Sequence, residues 1–345
     1  MEISRHRRLI TPLLFMGLAL LCVVLAIADM LVGTTHLSLA EVWAALCGRP
    51  YDAHHATIVL YMRLPKVVVA ILSGVALSAS GLQMQTLFRN PLAGPYVLGI
   101  NAGASLGVAL FTLVTPLLAL SASWLLTVGI TGMAWLGSAL ILLLVMALSR
   151  RIRNINTILI IGMMLSSSIS AVVGILQYMG TEESLKAFVV WTMGSVSTVT
   201  VDQLMVLLPV VVVGSLFAIV VIKPLNMLLL GEGYARSMGL NVTRSRRLIF
   251  LSTTLLAGGV TAFCGPIGFI GLAMPHLARI TFRTADHRVL MPASMLWGAL
   301  SMVVCTLACD VVARQGVMLP VNTITSLLGI PVIIYVVLRN CHRQC

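Results

Sequence analysis

The sequence predicts an all-α polytopic membrane protein of about ten transmembrane helices, with both termini cytoplasmic. Three observations predict it. Of 345 residues, 59% are hydrophobic and only 9% are charged, at a mean hydropathy of +1.05, more apolar sequence than a water-soluble core can use. Apolar runs of about the 20 residues that one span needs recur along the whole chain. The basic residues concentrate on alternate connections between those runs, as they do when short loops are sorted by charge.

The runs fall at 10–31, 64–83, 97–118, 124–148, 156–179, 201–222, 248–278, 290–309 and 320–338. The first follows Arg5, Arg7 and Arg8. It is too long for a signal peptide and lacks a convincing small-residue cleavage site, so it reads as a retained span. With the N-terminus inside and one crossing per run, seventeen of the 22 basic residues fall on the cytoplasmic side. Only Arg49, Arg63, Lys66, Lys186 and Arg314 remain outside. That map needs both ends of 248–278 inside. Two full helices need about 60 Å, whereas its residues supply roughly 46 Å as helix. The segment therefore crosses twice as short or broken helices, with Gly265-Pro266, Gly268 and Gly271 as the break. Gly99, Gly103 and Gly107, and Gly74 with Ser78, stand at the spacing that lets membrane helices approach closely.

The whole chain, 1–345, reads as one membrane domain whose most distinctive interruption is the polar segment 223–247. It carries Lys223, Arg236, Arg244, Arg246 and Arg247, yet Met227 to Leu230 and Ala235, Met238 and Leu240 are apolar. Two short amphipathic turns broken at Gly231 and Gly233 leave an apolar face to be covered. A loop lying on the membrane surface and a helix that docks a cytoplasmic partner both fit that pattern. The net charge of +12 is that of an oriented membrane protein and calls for no nucleic-acid partner.

Catalytic patterns do not occur. The chain has no Walker A sequence, no H-E-x-x-H and no G-x-S-x-G, and GEGYAR lacks the third glycine and strand context of a dinucleotide loop. The seven cysteines lie mostly inside apolar runs and form no disulfide framework, and the terminal CHRQC lacks prenylation spacing. No metal site is expected: Cys305 and Cys309 have no further ligand beside them, and His276 stands alone. Asp29, Asp202 and Asp310 sit close to the ends of spans, so the apolar interior lacks the deep charges of an ion-coupled carrier. A bulky cargo moved by a partner's energy suits such a pathway better, with an autonomous secondary carrier as the alternative. Arg63 and Lys66 of RLPK, with Arg314, are rare cations on the outer side. They fit either lipid phosphates or the carboxylates of an extracytoplasmic partner.

The ordered blocks of the chain resemble the FecCD-type permeases of ATP-binding-cassette (ABC) importers for iron–siderophore, haem and cobalamin. The blocks are RLPK at 63–66, SGVALSASGLQMQTLFRNPLAGPYVLGINAGASLG at 73–107, WTMGS at 191–195 and LGEGYARSMGLNV at 230–242. GPIGFIGLAMPHLAR at 265–279, DHRVLMPAS at 286–294, DVVAR at 310–314 and LPVNTITSLLGIP at 319–331 complete them. The resemblance implies a multi-pass protein of a bacterial inner membrane that is not itself an enzyme. It implies a second permease copy, two cytoplasmic ATPases that carry ATP and Mg, an extracytoplasmic binding protein, and no cofactor on this chain. It implies that Gly231, Glu232, Gly233, Tyr234, Ala235, Arg236, Met238, Gly239 and Leu240 form the coupling helix seated in the ATPase. Arg63, Lys66 and Arg314 then face the binding protein, and Asn154, Ile155 and Asn156 align with the inner gate. Two departures stand out. The family's E-L-P-x-G is here Met318-Leu319-Pro320-Val321-Asn322, and Asn154 to Asn156 replace small hydroxyl residues.

Overall fold

Residues 2–33, 35, 37–49, 52–114, 123–152, 154–317 and 319–341 are described by the structure, a computed structural model. Met318 and residues 342–345 of the terminal CHRQC, named above, lie outside them. Every regular element among the described residues is helical. Among the described residues seven helices are long and apolar enough to cross a membrane, and shorter apolar ones lie at Ile100–Val114 and Val321–Val336.

The chain folds as two compact units. The first comprises Met1–Ser78, Val196–Val206 and Gly268–Cys345, and the second Ala79–Ser195 and Leu207–Ile267. In the first unit, α1 (Glu2–Leu31) is apolar from Ile10 onwards. It presents Leu13, Met16, Leu20, Val23 and Val24 outwards, as a lipid-facing helix does. Its inner side, through Leu18, Cys22 and Leu25, packs with Ile71, Val75, Trp297, Ala299 and Leu300. The short α2 (Leu39–Leu46) begins with a capping box in which Ser38 and Glu41 satisfy each other's backbone. Hydrogen bonds from the Ser38 amide and then its hydroxyl hold the Glu41 carboxyl below its usual range.

From α3 (Ala53–Ile58) a π-helical turn at Val59–Arg63 leads straight into α4 (Leu64–Leu87). The part of α4 that belongs to this unit, to Ser78, is largely buried, with Ala70, Ala76 and Leu77 fully so, and the rest of the helix belongs to the second unit. Small side chains make this burial attainable. Gly74 meets the Gly298 carbonyl so closely that no Cβ would fit at either glycine. Gly298 belongs to α15 (His287–Ala313), which with α14 (Ile270–Phe282) and α16 (Val321–Cys341) completes the unit.

In the second unit, a 3-10 turn at Pro95–Leu98 precedes α5 (Ile100–Ala109), which a π-helical turn extends to Val114. The predicted glycine ridge has a partner. Gly103 and Gly107 lie against Gly137 and the Met133 backbone of α6 (Ser123–Arg151), a helix kinked at Gly129. Gly99, at φ +83°, approaches Gly162 of α7 (Ile155–Met179). Then follow α8 (Glu182–Thr192), α9 (Val201–Val220), which belongs to this unit from Leu207, α10 (Ile222–Leu229) and α11 (Glu232–Ser237). A continuous stretch closes the unit: α12 (Val242–Thr253), a π-helical turn to Gly258 and α13 (Gly259–Cys264).

The boundaries of two expected segments move. The polar segment does not run to 247 as a loop, because Asn241 caps α12 by accepting from the Arg244 amide at 2.9 Å. Arg244, Arg246 and Arg247 are therefore helical. The break in 248–278 is confined to 265–269, with positive φ at Gly265 and Phe269, while Gly271 lies inside α14.

Candidate coupling and docking sites

Backbone geometry isolates the coupling stretch as a helix of its own. Gly231 adopts φ +111°, a conformation that L side chains resist, and a Cβ there would lie 2.5 Å from an Arg89 guanidinium nitrogen. At the far end of α11, Gly239 at φ +83° closes a Schellman motif. Its amide donates to Arg236 O at 2.9 Å, and the Leu240 amide donates to Ala235 O at 3.0 Å. Glu232 anchors the helix through an ion pair with buried Arg246 of α12, and Arg236 approaches it at 3.8 Å. The apolar residues divide into two sets. Ala235, with Leu225 and Leu228, is turned into the protein, whereas Leu229, Leu230, Tyr234 and Met238 are exposed. The single apolar face expected through Ala235, Met238 and Leu240 is thus split: Ala235 seats the helix, and Met238 points away with Tyr234. Gly233 is open on its outer side, with nothing within 4 Å of a Cβ.

Arg89 is a residue of this site that the sequence reading used only as a positive charge. It sits at φ +48° where α4 ends. Its amide donates to Thr86 O and that of Asn90 to Gln85 O, the hydrogen bonds of a Schellman cap in which glycine is usual. An arginine held in that conformation invites a functional explanation, and its side chain supplies one by donating to Leu228 O at 3.3 Å, at the end of α10. The signal lay in Arg89-Asn90-Pro91, where Asn-Pro marks a turn just after a helix.

The candidate gate lies beside this assembly. Asn154 caps α7, its side chain accepting from the Asn156 amide at 2.9 Å. A cavity of about 290 Å³ is lined by Ile155 and Asn156, by Leu87, Phe88 and Arg89, and by Leu228 and Glu232. Two sequence-predicted groups, far apart in the chain, therefore share one cavity. Asn154 is not among its lining residues.

The three candidate docking cations lie in the first unit, and two of them are not on its surface. Lys66 is buried between Asp29, at 3.2 Å, and Asp310. Arg63, also buried, donates to the carbonyls of Met30 and Thr35. Arg314 is exposed, and its Nε donates to Gly33 O at 3.1 Å. The expectation of three cations facing outwards is corrected to one, because carboxylates and carbonyls within the chain take the other two. The Thr306 hydroxyl adds a 3.4 Å hydrogen bond to Asp29. Among the described residues no group of three or more His, Cys, Asp or Glu is placed to hold a metal ion.

The profile of the FecCD transport family matches residues 19–339. The chain belongs to this family. Among its FecCD relatives, the hemin transport system permease protein of Yersinia pestis is 37% identical, over 97% of this chain and 98% of that protein. The vitamin B12 import system permease protein of Klebsiella pneumoniae is 34% identical, over 91% of this chain and 94% of that protein. A solved structure, described as a metal-chelate type ABC transporter in an inward-facing conformation, superimposes with a TM-score of 0.82. It is 29% identical, and the match covers 95% of this chain and 99% of that one. FecCD proteins of this kind are permease subunits, transport components rather than enzymes, and this chain is a multi-pass membrane protein.

Proposed function

We propose that this chain is the permease subunit of an ABC importer that moves a metal chelate of the haem, siderophore or cobalamin class across a bacterial inner membrane. The observation that carries the reading is α11. This short helix is clamped from within by Glu232 and Arg246, yet Tyr234 and Met238, with Leu230 just before the helix, face the outside on a chain without a nucleotide-binding motif. The rigid clamp and the uncovered apolar tip are what a lever driven by a separate ATPase requires. ATP and Mg belong to that partner, and this chain carries no cofactor.

The seven long helices together with Ile100–Val114, α14 and α16 support a reading of ten crossings, and the distribution of basic residues favours cytoplasmic termini. Two copies of the permease enclose the path. The cavity shared by Glu232, Arg89, Ile155 and Asn156 links the lever to the inner gate. Arg314 offers an exposed cation to an extracytoplasmic binding protein, with Arg63 and Lys66 beneath it. Arg314→Glu is expected to weaken that docking by about fivefold, and more at low salt. Titration of the binding protein at two ionic strengths measures it, and an unchanged affinity at both would remove Arg314 from the interface.

The alternative, an ion-coupled secondary carrier, differs in one measurement. Reconstituted alone in liposomes, the permease should accumulate none of haem, ferric siderophore or cobalamin under a proton or sodium gradient. With ATPase, binding protein and ATP it should accumulate one of them. Gradient-driven uptake by the chain alone would overturn the importer reading.

A further inference from the structure

The turn after α1 is held from two other helices by three cations. Arg63, entering α4, donates to Met30 O and Thr35 O, and to the Thr35 hydroxyl at 2.9 Å. Arg314, just after α15, donates to Gly33 O. Lys66, one helical turn beyond Arg63, bridges Asp29 in the last turn of α1 and Asp310 in the last turn of α15. Gly33 gives Arg63 its room, since a Cβ there would lie 2.7 Å from the guanidinium. The cluster holds three cations and two carboxylates, and Asp29 is wholly inaccessible. A buried ammonium between two carboxylates is costly to break from either side, because the group left behind stays buried without its counter-charge.

We propose that Lys66 is a positioning residue: by tying α1 to α15 through Asp29 and Asp310, it fixes Met30, Gly33 and Thr35, which Arg63 and Arg314 grip, and thereby the face on which the extracytoplasmic partner docks. This rests on the docking reading above, but it assigns Lys66 a different part in it. Lys66 acts through Asp29 and Asp310 and makes no contact with the partner itself.

A double-mutant cycle on the full-length permease in nanodiscs separates the two parts. Asp29→Asn, Lys66→Met and the double variant are compared by hydrogen exchange of peptides covering 30–38 and by affinity for the purified extracytoplasmic binding protein. Each single change should speed exchange of the turn about tenfold and weaken binding by a similar factor, with the double variant no worse than either. A cation that touched the partner would behave otherwise. Lys66→Met would then weaken binding at unchanged exchange, Asp29→Asn would leave binding intact or stronger, and the proposal would be overturned. Should Lys66→Met fail to insert, Asp29→Asn decides alone, since it is isosteric and removes only a charge. Faster exchange with unaltered affinity in every variant, Arg314→Glu included, would remove the docking reading while retaining the pinned turn. Unaltered exchange would overturn the pinning.

Discussion

Met238→Asp should release the ATPase from the permease while leaving the permease in the membrane. Met238 is 53% exposed at the end of α11 and Tyr234 is 54% exposed beside it, so the isolated chain loses little packing when the methionine is replaced. A fold defect is therefore not expected. In the importer proposed above the same position would face an apolar groove of the ATPase, and a charged carboxylate there costs several kcal/mol if it stays buried and ionised. At about 1.4 kcal/mol per tenfold, that is a loss of two orders of magnitude or more in ATPase affinity. Co-purification of the ATPase and ATP-driven uptake should both collapse, whereas the binding protein should still bind. Met238→Leu, which keeps the apolar surface, should retain both activities. If Met238→Asp keeps its ATPase and imports cargo, α11 is membrane surface and the lever lies elsewhere.

Much of this architecture was legible because membrane helices advertise themselves by composition. The long spans followed from run length, the helix breaks from Gly265-Pro266, and the close crossings from small residues at four-residue spacing. The burial along α12 was not legible, although its Asn241 cap is a local signal, because Arg244, Arg246 and Arg247 look like loop residues until Arg246 is seen buried against Glu232. One acid decides the matter, and nothing local in the sequence pairs residues 232 and 246. The same limit hid the partners of Lys66. Asp29 and Asp310 are remote in sequence, so RLPK read as a set of exposed cations when Lys66 is paired with carboxylates and Arg63 is hydrogen-bonded to carbonyls from within. Arg89 was overlooked because an arginine in a left-handed cap is a departure from preference that only φ reveals. Charge counts place residues near a surface, while burial depends on tertiary partners that a count does not contain.

Gly74→Val should prevent stable accumulation of the permease, the largest stability effect expected from a single change in the first unit. Gly74 of α4 and Gly298 of α15 cross backbone to backbone. A Cβ on Gly74 would overlap the Gly298 carbonyl and stand 2.7 Å from the Ala299 amide nitrogen. The obstacle is main chain, so no rotamer relieves it and the two helices must separate. Separation opens the adjoining cluster of Cys22, Ala299 and Leu300, with Ile71 and Val75 packed on it. Overpacking of this kind costs about 1–3 kcal/mol even where side chains can adjust. Between membrane helices, where close packing replaces the hydrophobic effect as the force of association, the loss is greater still. Gly74→Ala should already be destabilised, with valine worse. Gly17→Ala is the control, because a Cβ on that glycine of α1 meets nothing within 4 Å. Size-exclusion profiles of the detergent-solubilised protein after graded heating would rank the three variants. A Gly74→Val permease as heat-resistant as Gly17→Ala would mean that α4 and α15 do not meet at these glycines.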